Sequence, residues 1–254
     1  MTPFVRRNRD LKGLPMKTTL VAFAFALLSL SALAQNGQEP TPPSYCKPCL
    51  FYGGDFDPNG PFPNALLNQD TTEQAATMYV PFAVPPNQTW TVAGFFSNNM
   101  SGGVPSLYPP QIEWSISTGI SQGDGGTVIA SGIAYAKLTP TGRSWNGLNE
   151  YTALGRLSAD ELVTLTPGHY WMTAVPVCFE DEDRSSFVIS DVEDVPAPHA
   201  VGFESTDESY WYAPWDGWVY SETGGTNGLC SIAGNGGGCD KFSAGLIGTA
   251  TLNN

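Results

Sequence analysis

Three side chains near the start of the chain have the types and the spacing that bind calcium. Asp55, Asp57 and Asn59 alternate and are followed by Gly60, which matches the D-x-D-x-N-G start of a calcium loop. Oxygens at alternate positions converge inside a tight turn, and glycine supplies the bend. An EF-hand also needs glutamate at the twelfth position, where this sequence has Leu66, so an EF-hand is excluded. Two interpretations stay open: a calcium site completed by other oxygens, or a turn whose Asp and Asn cap their own backbone.

The densest aromatic stretch, residues 210–220, offers a second kind of chemistry. It holds six aromatic side chains in eleven residues. Exposed to water, these rings would form a platform for sugars or another flat ligand. The alternative is that the rings cover the core, as most aromatic side chains do. The candidate ligand-binding residues are Trp211, Tyr212, Trp215 and Trp218.

The common catalytic signatures are missing from the sequence. His169 and His199 have no metal-ligand spacing, and there is no G-x-S-x-G elbow, P-loop or dinucleotide-binding glycine motif. A glycosidase pair of carboxylates depends on distance in space, and among 24 acidic residues such pairs arise by chance. We therefore expect no enzyme, with a jelly-roll carbohydrate-active hydrolase as the alternative.

The five cysteines predict disulfides in an exported protein. Local pairing would join Cys46 to Cys49 and Cys230 to Cys239, leaving Cys178 alone, although spacing does not fix the connectivity. A redox role for the C-x-x-C pair needs a preceding strand and a following helix. That pair lies in a Pro-rich segment, which favours a structural disulfide.

Short β-rich runs separated by Gly, Pro, Asn and Asp clusters indicate the fold. In residues 111–117, Ile112, Trp114 and Ile116 alternate with polar residues, as in a strand with one buried face. About ten such runs predict an all-β, two-sheet antiparallel β-sandwich, jelly-roll-like in arrangement. The acidic, Gly-rich residues 179–238 predict long loops in the C-terminal third.

The first 34 residues resemble an export signal: a basic start, an apolar run and the Ala32-Leu33-Ala34 cleavage site. Met16 could itself open such a signal, which makes residues 1–15 a candidate mis-called start. We expect residues 35–48 to be a Pro-rich leader and residues 49–254 a single β-sandwich domain. The predicted location is outside the cytoplasm, extracellular or periplasmic, without membrane insertion.

Charge narrows the possible partners. After residue 34 the chain keeps 6 basic and 23 acidic residues, a net charge of −17. Nucleic acids and anionic membranes need clustered Lys and Arg, so neither is an expected partner. An acidic surface favours solubility outside the cell.

Several motifs together resemble a group of secreted, uncharacterised bacterial β-sandwich proteins. The resemblance covers nearly all of the chain after the export signal. Some members of the group carry C-terminal sorting anchors, and the lack of such an anchor here implies release or periplasmic residence. The resemblance implies a β-sandwich fold and export from the cytoplasm, but it implies no catalytic residues. The motifs are CKPCLFYGGDFD (46–57), QTWTVAG (88–94), GDGGTVIASG (123–132), LTPGHYW (165–171), SDVEDVP (190–196) and CDKFSAG (239–245).

These observations predict a secreted, non-catalytic module that binds glycan or another extracellular component. If the loop binds an ion rather than forming a plain turn, the ion is expected to be calcium, with Asp55, Asp57 and Asn59 as ligands, and no organic cofactor is expected. A structural matrix protein is the third alternative, and the oligomeric state stays open.

Overall fold

The structure is a computed structural model, and all of its described residues belong to the part of the chain from Gln38 to Asn254. The described residues are 43–55, 66–67, 77–101, 110–145, 147–177, 185–187, 189–191, 201–202, 208–213, 217–223 and 241–253.

Every regular element among these residues is a β-strand, and none of the described residues lies in a helix. Pro86, Gly123 and Gly147 lie in described turns between consecutive strands. The strands are β1 Cys49–Tyr52, β2 Leu66–Leu67, β3 Thr77–Val84, β4 Gln88–Ser101, β5 Gln111–Thr118, β6 Thr127–Trp145, β7 Leu148–Arg156, β8 Val163–Leu165, β9 Gly168–Val177, β10 Ser185–Phe187, β11 Ile189–Asp191, β12 Tyr210–Ala213, β13 Trp218–Glu222, β14 Lys241–Phe242 and β15 Ala244–Leu252.

Thirteen of the strands form one antiparallel sheet that curls on itself like half a barrel. The strand order is β1-β15-β4-β7-β6-β5-β9-β3-β12-β13, with β8 and β10 paired to β4, and β2 paired to β10. Strands β11 and β14 form a separate pair.

Strand β6 connects the two halves of the curled sheet. Its first part, from Thr127 to Tyr135, pairs with β5, and its second part, from Ala136 to Trp145, pairs with β7. A side chain at Gly155, opposite Ala136, would come within 2.3 Å of Ile112 Cγ2, so only glycine fits at this crossing without displacing the core. The sheet can therefore bend here while its hydrogen bonds continue.

The main core lies on the concave side, between the two halves. The Phe95 and Trp114 rings stack with centroids 4.5 Å apart, which joins β4 to β5. Phe82 of β3 stacks on Phe51 of β1 and on Trp90 of β4, with centroid distances of 5.7 and 6.1 Å. Strand β3 thus meets β1 and β4, which lie five or more positions away in the hydrogen-bonded order, through aromatic side chains.

The structure confirms the all-β, antiparallel prediction and the buried face of β5. Ile112, Trp114 and Ile116 are all buried. Thirteen of the described strands are hydrogen-bonded as one curled sheet, and the jelly-roll arrangement of two sheets stays a prediction.

Candidate functional site

A cluster of polar side chains lies on the convex side of the sheet, opposite the core. Its base is a row across three strands, because Asn98 of β4 pairs with Thr152 of β7, and Thr152 pairs with Thr139 of β6. Ser243, just before β15, extends the row, and its backbone oxygen accepts a 2.7 Å hydrogen bond from the backbone N–H of Asn98. This face of the sheet therefore carries a row of side chains with hydroxyl and amide groups.

Asn98 is the centre of the buried part of the cluster. Its Nδ2 lies 2.7 Å from Ser243 Oγ and 3.0 Å from the Tyr52 hydroxyl, and its Oδ1 accepts a 2.6 Å hydrogen bond from Thr152. The same Nδ2 lies 3.1 Å from the Tyr45 hydroxyl. Buried polar groups must be paired in this way, because an unpaired one costs about 1–3 kcal/mol.

Arg143 joins the two carboxylates of the cluster. Its Nε and Nη2 atoms donate to the two oxygens of Glu150, with 2.9 Å between Nη2 and Oε1, in a bidentate pair. Nη2 also donates to Asp55 Oδ1 at 3.1 Å. The Glu150 side chain is fully buried, whereas 33% of the Arg143 side chain is exposed. One guanidinium thus holds a buried carboxylate on one strand and a carboxylate that follows β1.

Asp55 also accepts hydrogen bonds from two tyrosines. The Tyr52 hydroxyl donates to its Oδ1, and the Tyr45 hydroxyl lies 3.3 Å from the same oxygen. Thr141 adds a hydroxyl that donates to Glu150. The carboxylates are therefore fixed by several donors each, which keeps their positions preorganised.

Burial and charge set the protonation of these groups. Burial, then the charges of Tyr45 and Asp55, raise the pKa of Tyr52 well above its ordinary value, so this phenol stays a hydrogen-bond donor. Burial alone would lower the pKa of Arg143. Hydrogen bonds to Glu150 and Asp55, together with their charges, raise that pKa above its ordinary value instead. The cluster therefore holds a permanent cation between two carboxylates.

A pocket of about 450 Å³ opens beside the cluster. One wall is the segment that precedes β1, and the other is the outer side of β6 and β7. Its lining is mainly polar and exposes hydroxyl, carboxylate and guanidinium groups. The lining residues are Pro43, Ser44, Tyr45, Asp55, Thr139, Pro140, Thr141, Arg143 and Thr152.

The segment before β1 is held against the sheet by a disulfide and by aromatic contacts. Cys46 and Cys49 form a disulfide, which fits one of the two predicted local pairs. The Tyr45 ring packs edge-on against Phe96 of β4, with centroids 5.1 Å apart. These contacts hold Tyr45 at the mouth of the pocket. Cys178, Cys230 and Cys239 lie outside the described residues.

The candidate calcium residues are only partly described. Asp55 is buried and bonded to Arg143, Tyr45 and Tyr52, so its charge already has a cationic partner. Asp57 and Asn59 lie outside the described residues. Within the part of the chain that the structure describes, no group of three or more His, Cys, Asp or Glu side chains is placed to bind a metal. Calcium binding by this loop stays a prediction.

The candidate aromatic platform divides into a buried part and a partly exposed part. Trp211 is buried in the main core, whereas Tyr212 is half-buried and its ring lies 4.8 Å from that of Tyr220. Trp218 begins β13, but its side chain is not described, and Trp215 lies outside the described residues. The structure thus supports the core alternative for Trp211, and ligand binding by the other three stays a prediction.

Of the polar cluster, the sequence interpretation singled out Asp55 alone, and only as a candidate calcium ligand. Asp55 and Arg143 are 88 residues apart, so no local spacing reveals their ion pair. One signal does exist in β7. Glu150 and Thr152 are polar, whereas Tyr151, Ala153 and Leu154 beside them are mostly apolar. This pattern indicates two polar side chains on a buried part of the strand.

No protein-family model, curated protein sequence or solved structure matches the chain. Among the described residues, no helix is long and apolar enough to cross a membrane. The functional argument therefore rests on the site itself.

Proposed function

We propose that this chain is a secreted, non-catalytic protein that binds glycans, and that the pocket beside Arg143 holds the sugar hydroxyls. One observation carries the proposal: the pocket is lined with hydrogen-bonding side chains, and buried partners fix them from behind. Such groups bind without a large loss of side-chain entropy, because their conformations are already set.

The donors and acceptors of the pocket suit a polyhydroxylated ligand. The Asp55 carboxylate accepts hydrogen bonds, and the Thr139 hydroxyl can both donate and accept. The Thr141 hydroxyl donates its proton to Glu150 and can offer a ligand only an acceptor. None of the described hydrogen bonds of Arg143 uses Nη1, whose two N–H groups can bind ligand oxygens. A volume of about 450 Å³ lies within the range of small-molecule sites and fits one or two sugar rings.

The net charge of the cluster indicates that the pocket binds an uncharged part of the ligand. One guanidinium faces two carboxylates, so the cluster carries a net charge of −1 and would repel an anion placed directly on it. The same arrangement weakens the hydrolase alternative. A glycosidase needs one carboxylate free to protonate the leaving group, whereas here both are bonded to Arg143.

Three further elements belong to the same proposal. Tyr212, Trp215 and Trp218 would supply an additional stacking surface, and a calcium ion on Asp57 and Asn59 would stabilise the loop that begins at Asp55. The two halves of the curled sheet would act as the two layers of a jelly-roll-like sandwich, which is supported by the aromatic packing between them.

Affinity electrophoresis tests the proposal, with the purified chain run in gels that contain galactan, xylan or polygalacturonate. We expect at least one of these polysaccharides to retard the protein. Thr139→Ala should then weaken binding about three- to tenfold by calorimetry, because it removes one hydrogen bond worth about 0.5–1.5 kcal/mol. Thr249→Ala is the matched control, since Thr249 is an exposed strand threonine on β15 outside the pocket. Equal affinities for the two variants would reject the pocket as the site.

A further inference from the structure

We infer that the glycan is anionic, and that its carboxylate groups bind a strip on the outer side of β6 and β7, next to the pocket. The strip consists of Ile133, Tyr135 and Lys137 of β6 together with Arg156 of β7. This inference rests on the proposed function and names the ligand class of that site.

An exposed aromatic ring is the first observation. Tyr135 is 73% exposed and Ile133 is 58% exposed, in the middle of β6, just before its pairing passes from β5 to β7. Their neighbours Ala134 and Ala136 point into the core and are buried. A tyrosine ring held by a rigid sheet and open to water offers a flat face on which a sugar ring can stack.

The charge around this ring is the second observation. Lys137 lies two positions along the same side of β6 and is exposed. Arg156 is also exposed, and it directly follows Gly155, which pairs with Ala136, the neighbour of Tyr135 in β6. Within the described part of the chain, no ion pair uses Lys137 or Arg156. These two cations are therefore available to an anionic ligand.

The rarity of cations elsewhere makes this arrangement informative. After residue 34 the chain has only six basic residues against 23 acidic ones. Two of the six, Lys137 and Arg156, lie on the strip. Arg143 of β6 is already paired with Asp55 and Glu150, and one exposed carboxylate, Glu113 of β5, lies opposite Ile133. On a strongly acidic protein, an anionic ligand is repelled from most of the surface and is attracted to a place where two cations outnumber the single carboxylate.

The strip continues into the pocket along β6. Side chains of one side of a strand follow at every second residue, so Tyr135, Lys137 and Thr139 point the same way. Tyr135 and Thr139 are four residues apart, a distance of about 13 Å along the strand. An extended oligosaccharide can therefore place one ring in the pocket and a carboxylate-bearing ring on the strip.

Calorimetry with two oligosaccharides tests this inference: an oligogalacturonide, which carries a carboxylate on each ring, and the neutral galactose oligomer of the same length. We expect the oligogalacturonide to bind more tightly. Lys137→Gln and Arg156→Gln should each weaken its binding about two- to fivefold, the range of one exposed ion pair, and leave the neutral oligomer unaffected. Tyr135→Ala should weaken both ligands about fivefold or more, as loss of a stacking contact does.

Two matched controls keep the test specific. Lys47→Gln removes one exposed lysine from the segment before β1, and Leu252→Ala removes an exposed apolar side chain from β15. Neither change should affect binding. All five substitutions are at exposed positions, and unchanged thermal midpoints would show that the fold is intact.

Five outcomes separate the possibilities. A loss of affinity for the anionic oligomer in the Lys137 and Arg156 variants, absent in Lys47→Gln, supports the inference. Equal losses of affinity in the Lys137, Arg156 and Lys47 variants overturn it. Binding of poly-glutamate as tight as that of the oligogalacturonide also overturns it, because poly-glutamate has the charge without sugar rings. If Thr139→Ala weakens binding while the strip variants do not, the proposed function stands and the strip is rejected. If no carbohydrate binds, both fall.

Discussion

The ion pairs of Arg143 make the stability of the cluster measurable. Arg143→Met removes the guanidinium but keeps an aliphatic chain of similar length, so Glu150 is left buried with its charge unpaired. Breaking a buried pair from one side costs about 3–5 kcal/mol. Because a third of the Arg143 side chain is exposed to water, we expect a value near the lower end, about 3 kcal/mol. For a domain of roughly 200 residues this lowers the unfolding midpoint by about 6–12 °C.

A double-mutant cycle shows whether the loss comes from the ion pair. Glu150→Gln removes the charge that Arg143 neutralises, so the double variant should be less destabilised than the sum of the single variants by about 1–3 kcal/mol. The assay is denaturant unfolding of the wild type, the two single variants and the double variant, followed by one optical signal.

Arg156→Met is the matched control, because Arg156 is an exposed arginine on β7 without an ion pair to a described residue. We expect it to change the free energy of unfolding by less than about 0.5 kcal/mol. The reasoning would be refuted if Arg143→Met behaved like Arg156→Met, or if the effects of Arg143→Met and Glu150→Gln simply added.

Two other predictions concern the bend and the calcium loop. Gly155→Ala should destabilise the fold by about 1–3 kcal/mol, because the added Cβ would lie 2.3 Å from Ile112 Cγ2. Gly168→Ala is the control and should cost less, because its Cβ would meet its nearest neighbour at 3.4 Å. Equal losses of unfolding free energy in denaturant titrations would show that position 155 tolerates a side chain. If Asp57 and Asn59 bind calcium, a hundredfold excess over Kd should add about 2.7 kcal/mol and raise the thermal midpoint by about 5–10 °C relative to chelator. Asp57→Asn should abolish that shift and the exposed Asp160→Asn should not, while coincident curves in calcium and chelator would identify the loop as a turn.

The strands were predictable because their pattern is local. In β5 the alternation of Ile112, Trp114 and Ile116 with polar residues fixes which side faces the core, and no distant residue is needed to read it. The curled sheet was harder to predict. It depends on β6 pairing with β5 in its first part and with β7 in its second, and a continuous run of 19 strand residues does not show where the partner changes.

The candidate site was not predictable, because its contacts join residues that are distant in the sequence. Asn98 meets Ser243, 145 positions away, and Asp55 meets Arg143, 88 positions away. Each of these side chains alone looks like an ordinary polar residue. The calcium-like spacing around Asp55 predicts a metal ligand or a turn, because the local sequence does not show that this carboxylate pairs with a distant arginine.

The distribution of positive charge connects stability to binding. Arg143 lies on the same strand as Lys137, yet its cation is bound to Asp55 and Glu150, whereas Lys137 has no such partner among the described residues. A paired cation fixes the wall of the pocket and adds little net attraction for an anion. An unpaired cation attracts an anion and adds little to stability. Strand β6 therefore carries both kinds of charge within about 20 Å. Substitutions at Arg143 should lower the unfolding midpoint as well as the ligand affinity, whereas those at Lys137 should change the ligand affinity alone.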